Sequence, residues 1–296
     1  MELNIANLEG IIPPMVTPFD NSEDIDGDAF CNEIDFLLNQ DINGLIVGGS
    51  TGEGPTINEE ELEYLCQLTI KKVNDKVPVI AGIIPDSTRE AVRKGEIAKR
   101  SGVQGLMVTP VHYFRPTAEG LYGFFQDIGK KVGLPIIIYN VVPINPVLPE
   151  VIRKLTEIDQ LIGVKQSIGD GTASPGGQVE ILAEILMNVG DKVSVLSSYD
   201  PLLFQGLVMG SRGSIGAINT ILPELSVKLY NAVKEGMIQE ASEIYFKMLP
   251  TTRQLKMENW PSRVKCAINL QGRKVGIARK PMTPLSEIDE ESIQNA

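Results

Sequence analysis

Short apolar runs alternate with longer amphipathic stretches along this chain. The apolar runs are Ile11–Thr17, Gly44–Gly49, Val79–Ile83, Gly105–Thr109, Ile136–Tyr139, Leu161–Lys165, Val193–Ser198 and Gly213–Ala217. Continuous apolar runs of this length predict strands buried on both faces, as in a parallel sheet. Between them lie helical patterns at Asp26–Asn39, Asn58–Asn74, Ser87–Ser101, Thr117–Val132, Pro149–Thr156, Gln178–Val189, Pro201–Met209 and Leu222–Lys234. Asn58, with Glu61 three residues on, reads as a helix start of capping-box type. Eight strands and eight helices in strict alternation predict an α/β fold, a (β/α)₈ TIM barrel. After Lys234 only helical signals follow, at Met237–Met257 and Trp260–Leu270, before Pro281, Pro284 and an acidic end. The expected organisation is a barrel catalytic domain over residues 1–234 and a C-terminal helical extension over 235–296.

Two of the apolar runs end in reactive groups. Lys165 closes one strand and Tyr139 closes the strand before it. Barrel active sites lie at the C-terminal strand ends, and neighbouring strands are about 4.8 Å apart. The phenol and the amine are therefore within reach of one centre. Burial disfavours the charged amine, which makes it a nucleophile for Schiff-base chemistry near neutral pH. On Lys165 alone, a lysine snorkelling to solvent is the better explanation; its surroundings shift the balance. The second strand runs into Gly48-Gly49-Ser50-Thr51-Gly52-Glu53-Gly54-Pro55. This is either a plain tight turn or a nest of backbone N–H groups for carboxylate or phosphate oxygens. It matches neither nucleotide-binding glycine pattern.

Composition narrows the classes. The chain has 296 residues, 43% of them hydrophobic and 22% charged, ample for one large core. A net charge of −11 argues against nucleic acid and anionic membranes as partners. No 18-residue apolar stretch predicts a membrane span, and the first residues lack the basic-then-apolar pattern of a signal peptide. Cys31, Cys66 and Cys266 are odd in number and widely spaced. They read as reduced thiols of a cytoplasmic protein. His112 is the only histidine, too few for a zinc-dependent aldolase, so no metal and no cofactor are expected. By itself His112 reads as a residue packed in the loop after strand four, although Thr109–Pro116 is dense in polar aromatics. Gly210-Ser211-Arg212-Gly213 lies at the N-terminal end of strand eight, the wrong face for a phosphate site, and reads as a turn.

Taken together, Gly49-Ser50-Thr51-Gly52-Glu53, Tyr139-Asn140 with Pro143, Gly163-Val164-Lys165 with Gly169-Asp170, Gly213-Ser214-Ile215-Gly216 and Arg279-Lys280-Pro281 resemble the dihydrodipicolinate synthase / N-acetylneuraminate lyase family over essentially the whole chain. The resemblance implies a class I, pyruvate-handling aldolase or lyase on a barrel with C-terminal helices, usually a tetramer. It implies that Lys165 forms the Schiff base with pyruvate or another 2-oxo acid and that Tyr139 shuttles protons. Ser50 and Thr51 would bind the 2-oxo acid carboxylate beside the Gly52 backbone and relay protons, and the Ile215 carbonyl would line the pocket. In some relatives a tyrosine after strand four enters the neighbouring subunit's site. Here that loop is one residue longer, and either His112 or Tyr113 takes the place, with Tyr113 preferred.

One departure bears on specificity. Dihydrodipicolinate synthases carry an arginine shortly after the Tyr-Asn pair, for the aldehyde's carboxylate. The stretch Val141–Pro146 has none. A hydroxylated aldehyde or a 2-oxo-3-deoxy sugar acid is therefore expected as second substrate. The alternatives are a genuine 4-hydroxy-tetrahydrodipicolinate synthase using aspartate semialdehyde, a 2-oxo-3-deoxy acid dehydratase, and a non-catalytic 2-oxo acid binding homologue. The intact lysine, tyrosine, serine and threonine set argues against the last.

Overall fold

The computed structural model describes residues 2–167 and 175–296. The strands are β1 (Gly10–Ile11), β2 (Leu45–Val47), β3 (Val79–Ile83), β4 (Gly105–Val108), β5 (Ile136–Asn140), β6 (Leu161–Gln166), β7 (Ser194–Ser197) and β8 (Gly213–Ser214). All pair in parallel, in the order β1-β8-β7-β6-β5-β4-β3-β2. The ring closes beyond β1, where the Met15 N–H donates to the Ile46 carbonyl at 2.8 Å and the Ile46 N–H to that of Pro13 at 3.0 Å. The sheet is thus the expected barrel, with β1 shortened because Pro13 and Pro14 have no N–H to give a ladder.

Side chains alternate across each strand. Ile46, Ile80, Met107, Ile137, Tyr139, Leu196 and Ile215 form one cluster, the barrel interior. Leu45, Val47, Val79, Ala81, Leu106, Val108, Ile136, Ile138, Val164 and Val195 belong to the core under the outer helices. Lys165, next to Val164, therefore shares the inward face with Tyr139.

The outer helices are α1 (Gly27–Leu38), α2 (Glu59–Val73), α3 (Thr88–Arg100), α4 (Ala118–Val132), α5 (Pro149–Leu155), α6 (Pro175–Val189), α7 (Leu203–Val208), α8 (Ala217–Ile221) and α9 (Pro223–Lys234). The capping box at Asn58 and Glu61 is present. The short α8 interrupts the stretch expected to be all strand and loop. The C-terminal region holds α10 (Ile238–Leu255), α11 (Trp260–Asn269) and an unexpected α12 (Glu287–Gln294), capped by Ser286. Val16, Leu203, Ile218 and Leu229 pack in one apolar cluster with Ile244, Met248, Val264, Ile268 and Ile293. Residues 1–234 and 235–296 thus share a core. No helix among the described residues is long and apolar enough to cross a membrane.

Candidate active site

Tyr139 and Lys165 are ladder partners at the C-terminal ends of β5 and β6. Both are buried, at 5% and 3% exposure. The Lys165 Nζ lies 3.6 Å from the centre of the Tyr139 ring. The amine therefore rests on the ring face, leaving the phenolic oxygen to others. Burial brings the Lys165 pKa down to about 7, partly opposed by the carboxylate of Asp200. The neutral amine is therefore well populated near neutral pH, as it is not for an ordinary lysine.

The phenol is pushed the other way. Burial raises Tyr139 to about 12, a hydrogen bond with the Ser50 side chain lowers it, and Asp200 raises it. Tyr139 thus keeps its proton at neutral pH and shares a hydrogen bond with the Ser50 hydroxyl. Ser50 and the buried Thr51 lie in a tight turn, Ser50–Gly52, that follows β2. The chain entering this turn packs directly on β3 because Gly82, on its inward face, has no side chain. A Cβ there would come within 2.6 Å of the Gly49 backbone. The Glu53 N–H donates to the Ser50 carbonyl at 3.0 Å, in left-handed backbone with φ 56°. The Glu53 carboxylate points away from the pocket to Lys265 at 2.6 Å and to the Arg279 N–H at 2.9 Å.

Asp200 is the member that sequence reasoning missed. It follows β7 and opens a short turn, Asp200–Leu202. Burial raises its carboxyl to about 7, while backbone N–H groups of Ile218 and Ala217 and the Lys165 charge lower it. Its Oδ1 is shielded from solvent and has no hydrogen-bond partner among the described residues. Gly216 makes room for it, since a Cβ there would lie 2.0 Å from that oxygen. A signal existed: Asp200 stands just past an apolar strand, on the face where such barrels do chemistry.

The remaining candidates fall in different places. Ile215 is fully buried in the barrel interior, its N–H donating to the Ser197 carbonyl at 3.0 Å. Asn140 clamps the loop after β5. Its Nδ2 donates to the Val147 carbonyl at 3.0 Å and to the Gln166 Oε1 at 2.8 Å, and its Oδ1 accepts from the Val147 N–H at 2.9 Å. The loop so held, Val141–Leu148, offers only neutral side chains. His112 and Tyr113 stand outside the cluster within one chain. Their N–H groups donate to the Asp86 carboxylate at 3.0 and 3.1 Å. The Tyr113 ring is 74% exposed, edge-on to Phe114. No hydrogen bond or ring contact among the described residues joins either to Lys165, Tyr139 or Ser50. Gly169 and Asp170 lie outside the described residues. Among the described residues no three His, Cys, Asp or Glu side chains gather as metal ligands.

Comparison with known proteins gives one answer. The sequence model of the Dihydrodipicolinate synthetase family matches residues 7–296. The 4-hydroxy-tetrahydrodipicolinate synthase of Bartonella bacilliformis is 32% identical over 293 residues, 98% of this chain and 97% of that protein. The crystal structure of dihydrodipicolinate synthase from Aquifex aeolicus superposes with a TM-score of 0.89 at 30% identity, covering 97% of this chain and 96% of that one. YagE, a prophage protein of the dihydrodipicolinic acid synthase family from E. coli K12 solved in complex with pyruvate, gives a TM-score of 0.91 at 27% identity, covering 97% of each chain. A buried lysine on a tyrosine ring, at the mouth of a parallel barrel that matches these proteins from end to end, leads to one conclusion: the chain belongs to the dihydrodipicolinate synthetase family and is an enzyme of the lyase class.

Proposed function

We propose that this enzyme is a class I lyase that forms an imine between Lys165 and pyruvate or another 2-oxo acid. The observation that carries this is the Lys165 amine, buried against Tyr139 with its pKa brought down to about 7. The neutral amine attacks the C2 ketone, and the adduct loses water to give a protonated imine. That nitrogen then accepts the electron pair left when the C3 proton departs, yielding an enamine. The enamine adds to an aldehyde, or is the leaving group when a longer 2-oxo acid is cleaved. Tyr139, hydrogen-bonded to Ser50, delivers and removes the protons. Ser50, Thr51 and the Gly52 backbone hold the 2-oxo acid carboxylate in the turn after β2, and the Ile215 carbonyl faces the bound chain. No metal or organic cofactor enters these steps.

The second substrate on this reading is a hydroxylated aldehyde, or in cleavage a 2-oxo-3-deoxy sugar acid. The neutral loop Val141–Leu148 supports it, because a second carboxylate there calls for a fixed guanidinium. The name of the Bartonella relative favours a second reading, condensation of pyruvate with aspartate semialdehyde. A cytoplasmic homo-oligomer completes the proposal, since the exposed Tyr113–Phe114 pair suits a contact with a second copy.

Two measurements test this. Pyruvate and borohydride are expected to add a lactyl-sized mass to the Lys165 peptide, absent from Lys165→Ala. Labelling elsewhere refutes the imine role. Comparing kcat/KM for aspartate semialdehyde with that for several 2-oxo-3-deoxy sugar acids separates the two readings, and a clear preference for the former establishes the second.

A further inference from the structure

The site described so far has no cation for the far end of a substrate. The loop after β5 is neutral, and the deeply placed cations of the C-terminal region are taken. Lys265 pairs with Glu53, Arg263 with Asp289, Arg273 with Glu33 and Arg279 with Glu61. Lys256 is different. It caps the C-terminus of α10, its N–H donating to the Arg253 carbonyl. Its ammonium lies 3.3 Å from the centre of the Tyr199 ring and makes no ion pair or hydrogen bond among the described residues. Partial burial holds its pKa below the ordinary lysine value, and it remains open to solvent.

Its position relates it to the chemistry. Tyr199 immediately precedes Asp200, the carboxylate coupled to Lys165, and both follow the C-terminal end of β7. Helix α10 is fastened to that turn. The Tyr245 hydroxyl donates to the Pro201 carbonyl at 2.6 Å, and its ring stacks on Phe204 at 5.6 Å. Lys256 is thus a cation held by an aromatic face at the rim of the catalytic side. An aromatic quadrupole holds an ammonium only weakly. The ammonium's three donors stay free for oxygen acceptors.

We propose that Lys256, resting on Tyr199, is the specificity-determining cation that receives an anionic terminus, carboxylate or phosphate, on the second substrate. This deepens the imine-lyase reading and rests on it. The enzyme then favours 2-oxo-3-deoxy acids charged at both ends over those ending in a hydroxymethyl group.

The test uses 2-oxo-3-deoxy acids of one chain length ending in hydroxymethyl, carboxylate or phosphomonoester, with pyruvate release as the readout. The quantity compared is the ratio of kcat/KM for each acid-ended substrate to that for the hydroxymethyl one. The ratio is expected to exceed one for at least one acid-ended substrate in the wild type, which also tells carboxylate from phosphate. It is expected to fall about 10–100-fold in Lys256→Gln, the scale of a charge-assisted hydrogen bond, and to be largely kept in Lys256→Arg. A wild-type preference for the hydroxymethyl substrate over both others, an unchanged ratio in Lys256→Gln, or an equal fall in Lys256→Arg overturns the proposal. Borohydride trapping of pyruvate runs in parallel. A Lys165 adduct in Lys256→Gln shows that variant folded and competent for the imine. A wild-type protein with no adduct refutes the imine reading itself, and the role of Lys256 falls with it.

Discussion

Replacing Lys165 with methionine is expected to abolish imine formation and stabilise the fold. The amine is held at about 7 in the folded chain against 10.5 when free. Because the folded value is depressed, the unfolded state binds more protons between those limits. The destabilisation is therefore full below pH 7, shrinks as pH rises, and vanishes above 10.5. Asp200 titrates near the same pH and would blur the slope, so the comparison is best made between Asp200→Asn and the Asp200→Asn/Lys165→Met double variant. Without the carboxylate, which raises Lys165, the amine's folded pKa drops further. The double variant should then be more stable by several kcal/mol at pH 7 and by only about 1 kcal/mol at pH 9.5. Methionine suits the site, since its thioether packs on the Tyr139 ring where the Nζ now lies 3.6 Å from the centroid. Urea unfolding at one protein concentration and several pH values measures the gap. A gap independent of pH, or a less stable double variant, would refute a buried, depressed amine.

Three further outcomes follow from the same geometry. In Asp200→Asn the acid limb of pyruvate trapping should move to lower pH than in the wild type, because the carboxylate that raises Lys165 is gone; a move to higher pH contradicts the coupling. Tyr139→Phe should fold as the wild type does yet lose about 10²–10⁴-fold in turnover, with trapping of pyruvate less affected; unaltered turnover removes the phenol from proton transfer. Activity should persist in EDTA, and inactivation rescued by a divalent metal would contradict the imine mechanism.

The strands were legible because barrel strands are buried on both faces and so are apolar throughout. Their limits were less so. The first apolar run extends to Thr17, yet the ladder of β1 stops at Ile11, since the prolines that follow contribute burial without donors. The last run extends to Ala217, but Gly216 yields to Asp200 and Ala217 already starts α8. Helix α12 has a polar sequence and buries little besides Ile293, so no apolar stripe marked it. Lys165 and Tyr139 stood out because each ends an apolar run with a reactive group. Asp200 did not, for aspartate is ordinary after a strand. What singles it out is an oxygen without a hydrogen-bond partner among the described residues and a Lys165 amine 35 positions earlier, and neither is visible until the barrel brings β6 beside β7.

The C-terminal helices do more than cover the barrel. Glu53 sits in the turn that presents Ser50 and Thr51, and its carboxylate is buried against Lys265 and the Arg279 N–H, over 200 residues further on. Burial takes Lys265 down to about 8 even with Glu53 beside it, so desolvation outweighs what the partner returns. Such a pair adds little net stability, but removing one member strands the other, at about 3–5 kcal/mol. Its effect is to fix the turn's position: the chain bearing Ser50 cannot shift without exposing or orphaning a charge. The phenol of Tyr139 depends on that serine, and Lys165 lies on the face of the same ring. The placement of the Lys165 amine is therefore tied, through one ring and one buried ion pair, to helices that contribute nothing to the strands.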